Sequence, residues 1–233
     1  MAMLRKYLIL SAILLVLLAG CEKSVQKSIV SIPDQAFLGA LIAQGVDIDG
    51  DGQISQNEAE AILSLVIPPS GISDLTGLEA FIHLESFSIT LNPLASLDIS
   101  KNLSLSHLEC TSCELTQLDV SRNTALETLI CGRNSLEELD LSQNVALSKL
   151  VCNNNLFTSL DLSANTGLTL MISCGNQLTS LDISMLTSLT KVGYDNMPML
   201  DEVCVWSLPF PPPGLVVLSE FSPNLIYTTQ CSK

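Results

Sequence analysis

The sequence predicts an α/β solenoid in which short repeated coils stack around one parallel β-sheet, with a helical cap before it and a β-rich cap after it. The main observation is a tetrapeptide of the form Leu-Asp-[Leu/Ile/Val]-Ser that recurs at a constant interval of 21 residues. A fixed interval of this size indicates stacked supersecondary units, none of which can bury its apolar residues alone. Composition agrees, because hydrophobic residues make up 47% of the chain and aromatic residues only 4%, which predicts an aliphatic core. The five tetrapeptides begin at Leu97, Leu118, Leu139, Leu160 and Leu181.

The first segment of the chain has the pattern of an export signal. Arg5 and Lys6 precede an apolar run that is shorter than the roughly 20 residues a membrane-spanning helix needs. The run ends in Leu-Ala-Gly before Cys21, which resembles the bacterial lipobox and implies a lipid anchor on Cys21; an ordinary signal peptide with a chance cysteine is the alternative. We assign residues 1–20 to the signal, 21–31 to a lipidated tether, 32–69 to the helical cap, 70–203 to the solenoid and 204–233 to the C-terminal cap.

The charge of the chain narrows the classes of partner. Ten basic and 24 acidic residues give a formal net charge of −14, and removal of residues 1–20, which hold two of the basic residues, would leave −16. Such a chain is a poor ligand for nucleic acid or for an anionic lipid surface. Cations are the better expectation, and contact with a membrane is expected through the lipid anchor only.

A twelve-residue segment, 47–58, matches the calcium-binding loop of an EF-hand at every coordinating position. Carboxylates stand at positions one, three, five and twelve, which supplies the hard oxygen ligands that calcium prefers, and Gly52 at position six permits the sharp turn. A metal-free acidic turn is the alternative, but carboxylates packed this closely repel one another unless a cation is present. Because there is one loop and no paired second one, we expect a structural calcium site and not a switch. The expected ligands are Asp47, Asp49, Asp51, Gln53 (through its carbonyl oxygen), Ser55 and Glu58.

Two short helices are expected on either side of this loop. The first begins near Asp34, and Phe37, Leu38, Leu41 and Ile42 would share its apolar face. The second would run from Ser55 to Leu65 and end before Pro68 and Pro69.

Within each repeat, the second half has the form Leu-x-x-Leu-x-Cys-x-x-Asn-x-Leu. Strand alternation places Leu129 and Cys131 inside the coil and Ile130 outside. Asparagines recur at two positions of the repeat, where their amides can satisfy backbone groups left unpaired at the bends. The two predicted ladders are Asn102, Asn123, Asn144 and Asn165, and Asn134, Asn155 and Asn176.

This pattern resembles the leucine-rich repeat, in the irregular 21-residue form found in surface lipoproteins of Bacteroides-type bacteria. The resemblance covers about residues 32–233. It implies a right-handed solenoid with a parallel β-sheet, a short helical EF-hand-like N-terminal cap and a β-rich C-terminal cap. It also implies binding without catalysis, and an outer-membrane lipoprotein at the cell surface, with the periplasmic face left open.

The cysteines allow two interpretations each. Cys110 and Cys113 have the spacing of a redox motif, but both also occupy inward or ladder positions of the repeat, which favours core thiols. Cys204 and Cys231 lie outside the repeat and could form a disulfide across the C-terminal cap of an exported protein.

Two further sets of polar residues have structural explanations. A column of aspartates one repeat apart could bind ions, but a solvated column with hydrogen bonds to serine or backbone is favoured. His83 and His107 are the only histidines, and the sequence has no nucleophile, zinc-protease or phosphate-loop motif. We therefore expect no enzyme. The aspartates are Asp98, Asp119, Asp140, Asp161 and Asp182.

The outward positions of the strands predict a binding face on the concave side of the solenoid. Four apolar side chains lie next to one another there, surrounded by charged ones, as expected of a protein interface; the β-propensity of branched residues is the alternative explanation. Carbohydrate binding, as an accessory of a glycan-uptake system, is the rival function, but it would call for aromatic side chains on this face. The expected partner-binding residues of a monomeric chain are His107, Glu109, Ile130, Lys149, Val151, Leu170, Ile172 and Lys191.

Overall fold

A computed structural model describes residues 27–94, 96–219 and 225–231 of the chain; the predicted signal segment and the predicted lipidation site Cys21 lie outside the described residues. Most of the described chain is a stack of coils, each of which contributes one short strand to a parallel sheet of eight. This confirms the predicted α/β solenoid with a parallel sheet. The eight strands, in spatial order, are β1 (Ser64–Ile67), β2 (Ser86–Ile89), β3 (His107–Glu109), β4 (Thr128–Ile130), β5 (Lys149–Val151), β6 (Leu170–Ile172), β8 (Lys191–Gly193) and β10 (Val216–Leu218).

A second, three-stranded parallel sheet lies at the C-terminal end of the stack. It is formed by β7 (Ser180–Asp182), β9 (Glu202–Cys204) and β11 (Ile226–Thr228), in the order β11-β9-β7. Strand β7 is one of the Leu-Asp-x-Ser segments, so this sheet lies on a different side of the coil from the main sheet. Among the described residues, no helix is long and apolar enough to cross a membrane.

The repeat length fixes the register of the main sheet. Residues 21 apart are paired directly from β2 to β5, for example Leu108 with Leu129 and Leu129 with Leu150. The two leucines of each Leu-x-x-Leu-x-Cys motif, and the cysteine that follows them, are fully buried. One aliphatic core therefore runs through the stack. Cys110, Cys131 and Cys152 stack in this core, and burial raises the pKa of the Cys131 thiol to about 12. Tyr194 occupies the same column two repeats after Cys152 and is also fully buried.

The two asparagine ladders bond adjacent coils to each other. In the first, the side-chain amide of Asn123 donates to the carbonyl oxygens of Ile99 (3.1 Å) and Asn102 (2.9 Å). In the second, Asn155 donates to the carbonyls of Cys131 and Cys152 and accepts from the N–H of Leu136. Each asparagine therefore pairs backbone groups that the bends of the coil leave without sheet partners. These residues are structural.

Cys113 takes the place of an asparagine in the second ladder. Its thiol donates to the carbonyls of Ile89 (3.4 Å) and Thr111 (3.5 Å), and its N–H donates to the side chain of Asn134. Burial raises the pKa of the Cys113 thiol, and it raises that of Cys110 well above the ordinary value. A redox pair needs the opposite shift, so Cys110 and Cys113 are core residues.

The N-terminal cap differs from the sequence prediction in two respects. Helix α1 (Gln35–Ala43) begins at the N-cap Asp34 and buries Phe37 and Leu41, but the third buried residue is Ala40, and Ile42 is 37% exposed. The expected second helix from Ser55 to Leu65 is wrong. Helix α2 spans only Gln56–Glu60, and Ser64–Ile67 forms strand β1, so the first rung of the sheet lies inside the segment assigned to the cap.

The physical reason is burial with a period of two. Leu65 and Ile67 point into the core, whereas Ser64 and Val66 are exposed, and a helix would place Leu65 and Ile67 on different sides. Gln44, the C-cap residue of α1, accepts a hydrogen bond from the N–H of Val66 at 3.3 Å. The helix thus covers the first edge of the sheet.

The C-terminal cap extends both sheets. Strand β10 pairs with β8 and β11 pairs with β9. Cys204 and Cys231 form a disulfide with their Cα atoms 5.4 Å apart, and the hydroxyls of Tyr194 and Tyr227 lie 2.9 Å apart. Phe210 packs against Tyr227 and Trp206, with ring centroids 4.9 and 5.7 Å away.

Candidate functional site

The acidic loop, residues 47–58, is held in a tight turn by its own backbone. Asp47 accepts hydrogen bonds from the N–H groups of Gly50 (2.8 Å), Asp51 (3.2 Å) and Gly52 (2.9 Å). Gly52 has φ +80°, the left-handed conformation that the sixth position requires and that glycine adopts without strain. The loop therefore has the sharp turn that its sequence predicts.

The closing carboxylate of the loop is fixed from both sides. Glu58 is largely buried; one of its oxygens accepts from the N–H and hydroxyl of Ser55 (2.8 and 2.7 Å), and the other accepts from the N–H of Ile48 (2.9 Å). These hydrogen bonds, those from Ser55 above all, hold the pKa of Glu58 at about 2. Glu58 is thus an ionised, immobile oxygen donor at neutral pH.

Carboxylate oxygens of Asp47, Asp49 and Glu58 all lie within 4.8 Å of one another. Calcium binds oxygen ligands at about 2.3–2.6 Å, so a single ion could contact oxygens with this separation. The donor set of hard, ionised oxygens is also the one that calcium prefers. These residues fit a calcium ion.

The other three predicted ligands have different surroundings. Asp51 accepts the N–H of Gln53 at 2.9 Å. The hydroxyl of Ser55 caps helix α2 while it donates to Glu58, forming a capping box. Ser55 therefore fixes the orientation of the Glu58 carboxylate.

Lys27, which belongs to none of the sequence motifs, contacts the carboxylates of this loop. The ammonium of Lys27 lies 2.7 Å from Asp49, 2.6 Å from Asp51 and 3.8 Å from Glu58. The hydrogen bonds from Lys27 lower the pKa of Asp51. No local sequence signal predicts this contact, because Lys27 precedes its partners by 22 and 24 residues.

The outward face of the main sheet carries two columns of side chains in register. We call these the sheet face. One column runs Ser86, His107, Thr128, Lys149, Leu170, Lys191, and the other runs Ser88, Glu109, Ile130, Val151, Ile172, Gly193. All eight residues predicted to bind a partner lie on this face, half-buried and on adjacent strands. Since neither column faces the core, the apolar members are not needed for packing inside the coil.

Strand β10 extends the sheet face further than the sequence predicted. Val216 is paired with Lys191 and Leu218 with Gly193, so two more apolar side chains continue the columns. They are 52% and 38% exposed. At the other end, Glu109 accepts a hydrogen bond from the hydroxyl of Ser88 at 2.9 Å, which marks the polar end of the face.

The aspartate column belongs to the turns of the solenoid. Each of the five aspartates accepts a hydrogen bond at 2.9 Å from the N–H of the serine two residues later. These bonds are Asx-type turns, and they explain the residue pattern without an ion. The acceptors are Asp98, Asp119, Asp140, Asp161 and Asp182.

Neither His83 nor His107 makes a side-chain hydrogen bond to a serine, threonine or cysteine within the described residues.

Comparison with solved structures gives the fold of the chain. Internalin C2 from Listeria monocytogenes matches with a TM-score of 0.62 at 18% identity, over 89% of this chain and 99% of that one. Another internalin of the same organism matches with a TM-score of 0.56 at 18% identity, over 89% and 68%. The chain has a leucine-rich-repeat fold. At these identities the likeness establishes the fold and nothing further.

A leucine-rich-repeat protein from Leptospira interrogans also matches, with a TM-score of 0.50 at 15% identity over 70% of this chain. The chain spans about half the length of that protein, 51%. The sequence matches no protein-family model and no curated protein.

Proposed function

We propose that this chain is a non-catalytic lipoprotein of the cell envelope that binds a protein partner through the sheet face. The observation that carries the proposal is the cluster of Ile130, Val151, Leu170 and Ile172 in register on that face. Contiguous apolar side chains outside the core are a common mark of protein-binding surfaces. The cluster lies beside Lys149, Lys191 and Glu109, and an apolar centre with a charged rim is the usual anatomy of such an interface.

The rival function, carbohydrate binding, lacks support on this surface. None of the outward positions on the eight strands of the main sheet holds Phe, Tyr or Trp. The aromatic side chains at the C-terminal end, Trp206, Phe210 and Tyr227, pack against the core instead of forming an open platform. A protein partner is therefore favoured.

Calcium in the acidic loop is part of the proposal. Asp47, Asp49 and Glu58, whose oxygens lie close together, would hold the ion. The loop pattern adds Asp51, Gln53 and Ser55 to the set. Bound calcium would neutralise the carboxylates and fix the loop between α1 and α2, so its role here is structural.

Anchoring through Cys21 and an outer-membrane location, with the surface-facing side preferred, complete the proposal. They rest on the leader pattern of residues 1–21 alone. Replacing Cys21 by serine should release the protein from the membrane fraction. Retention after an alkaline wash would contradict the anchor.

The binding proposal is tested by introducing negative charges into the apolar cluster. Chains carrying Ile130→Asp together with Ile172→Asp should fail to capture the partner from intact cells that the wild-type chain captures. The melting temperature should change little, because neither side chain is in the core. The matched control is Leu103→Asp with Val145→Asp, two apolar residues that are 56% and 62% exposed and lie away from the strands.

The outcomes are distinct. Loss of capture in the sheet-face variant alone supports the proposal. Equal capture by the sheet-face variant and wild type would place the binding surface elsewhere. Removal of the captured material by glycosidase, and not by protease, would favour the carbohydrate alternative.

A further inference from the structure

The segment that precedes helix α1 is attached to the acidic loop along its backbone. The N–H of Val30 donates to the carbonyl of Ile54 at 2.8 Å, and the N–H of Gln56 donates to the carbonyl of Ser28 at 2.8 Å. Ile29 and Ser55 form an antiparallel bridge between these bonds. We call residues 27–32 the strap.

The strap is also held on its other side. A Cβ atom added to Gly77 would lie 2.6 Å from the side chain of Ile32 and 3.0 Å from the carbonyl oxygen of Ser31. The strap therefore passes in close contact over the first coil. Its position depends on these backbone and packing contacts, so it does not require the charge of Lys27.

The first residue of the strap places a positive charge among the carboxylates of the loop. Lys27 contacts Asp49 and Asp51 at hydrogen-bond distance, and its side chain is only 30% exposed. Glu58, the closing carboxylate, is 3.8 Å away. The ammonium thus lies among three of the predicted calcium ligands.

We propose that Lys27 is an internal counter-cation that competes with calcium for this loop. The inference rests on the proposed calcium site. Without calcium, the ammonium neutralises Asp49 and Asp51 and keeps the loop folded. When calcium binds the same oxygens, the two like charges repel each other, so the ammonium must leave the carboxylates.

Two consequences follow for the molecule. The loop remains ordered at low calcium, because the repulsion between its carboxylates is offset by a residue of the same chain. Calcium must also displace a tethered cation, so the site binds more weakly than its carboxylates alone would allow. The lower affinity would suit the high calcium concentrations outside cells. Extracellular calcium-binding modules typically have dissociation constants of about 10⁻⁴–10⁻³ M.

The test compares Lys27→Met with wild type in the full-length chain, using calcium chloride as the only ligand. Methionine keeps the length of the side chain and removes its charge. Isothermal titration should give roughly three- to tenfold tighter calcium binding for Lys27→Met, the range expected when partly exposed ion pairs no longer compete. Lys27→Arg, which keeps the charge, should bind calcium like wild type.

A second readout separates competition from simple stabilisation. In chelator, Lys27→Met should melt at a lower temperature than wild type, whereas in saturating calcium the difference should disappear. Lys101→Met is the matched control, because Lys101 is exposed on the solenoid and far from the loop in the chain. It should change neither the affinity nor the calcium-dependent increment in melting temperature.

The possible failures are separable. If wild type binds calcium and Lys27→Met binds it equally or more weakly, the competition is wrong and the calcium site stands. If neither chain binds calcium, the calcium site itself is wrong, and the competition falls with it. If only Lys27→Met binds calcium, the competition is upheld in its strongest form.

Discussion

The phenolic oxygens of Tyr194 and Tyr227 lie 2.9 Å apart, and this contact joins the coil that holds β8 to β11, the last strand that the structure describes. Tyr194 occupies the buried column that holds cysteine in earlier repeats, whereas Tyr227 belongs to β11. Burial, together with the hydrogen bond to Tyr227, raises the pKa of Tyr194, so the Tyr194 phenol stays protonated at physiological pH. The contact links the core to the C-terminal cap.

Removal of this hydrogen bond should loosen the C-terminal end. Tyr227→Phe should lower the free energy of unfolding by about 1 kcal/mol, the usual net worth of such a bond. A double-mutant cycle with Tyr194→Phe, measured by chemical denaturation, should give a coupling energy of similar size. Additive single effects would contradict a direct interaction between the two hydroxyls.

The proposed calcium site predicts that the ion stabilises the folded chain by mass action, because it would bind the folded loop and not the unfolded one. Chelation should therefore lower the melting temperature, and Glu58→Gln should abolish the difference between calcium and chelator. Glu60→Gln is the control, because Glu60 lies on the same helix but after the loop, and its side chain accepts from Gln56, which is not one of the predicted ligands. Melting that is the same with and without chelator in both the wild-type and the Lys27→Met chains would refute the site.

One carboxylate links the N-terminal helix to the first coil. Asp34 caps α1 through the N–H groups of Ala36 and Phe37, and its other oxygen accepts from Ser73 (3.0 Å) and Asp74 (3.2 Å). Burial acts to raise the pKa of Asp34, but these four donors together hold it below the ordinary value. The carboxylate form is therefore favoured in the folded chain.

The sign of the pH effect follows from that shift. Because the folded-state pKa lies below the unfolded one, the contribution of Asp34 is complete above the unfolded value of about 4 and is lost as the pH falls through the folded value. Asp34→Ala should cost about 1–2 kcal/mol at neutral pH. The stability difference between wild type and Asp34→Asn should shrink on acidification below about pH 4 in denaturant titrations. A difference that is constant with pH would show that the charge of Asp34 does not contribute.

A column of left-handed residues recurs at the repeat interval. It includes Leu91, which has φ +54° and is 63% exposed, and Gly175, which has φ +69°. Leucine is strained in this conformation, whereas asparagine adopts it more readily. Leu91→Asn should therefore raise the free energy of unfolding by about 0.5–1 kcal/mol. The other members of the column are Ser112, Arg133, Asn154 and Asn196.

A substitution that should add strain to the same column provides the control. Gly175→Ala should lower the free energy of unfolding by about 1–2 kcal/mol, because alanine is strained at positive φ and its Cβ would lie 2.5 Å from the side-chain oxygen of Asn154. Both changes can be measured by urea denaturation. A destabilised Leu91→Asn chain together with an unaffected Gly175→Ala chain would contradict the account of this column.

The regular part of the fold could be predicted from the sequence because its period fixes its geometry. A constant interval of 21 places Cys113 in the ladder of Asn134 and Ile130 beside Val151 before any coordinates are known. The turn of the acidic loop could also be predicted, because the residues that form it all lie within one short segment, 47–58. The sheet face followed from strand alternation.

The remaining features depend on contacts between distant residues. Lys27 reaches Asp49 and Asp51 across more than 20 residues, and no periodicity connects them. The sequence predicts helix as far as Leu65 because the segment before Pro68 lacks the repeat signature, whereas pairing with β2 makes Ser64–Ile67 a strand. Val216 pairs with Lys191, 25 residues earlier, so the 21-residue interval could not place it on the sheet face.

The central claim, binding of a protein through the sheet face, is tested most directly by site-specific photo-crosslinking in intact cells. A benzophenone amino acid is introduced at Val151, on the sheet face, or at Val145, an exposed valine away from it. Position 151 should give one discrete, protease-sensitive adduct that disappears when Ile130→Asp and Ile172→Asp are added, and position 145 should give none. An adduct from position 145 alone, or one from position 151 that survives the two aspartates, would contradict the claim.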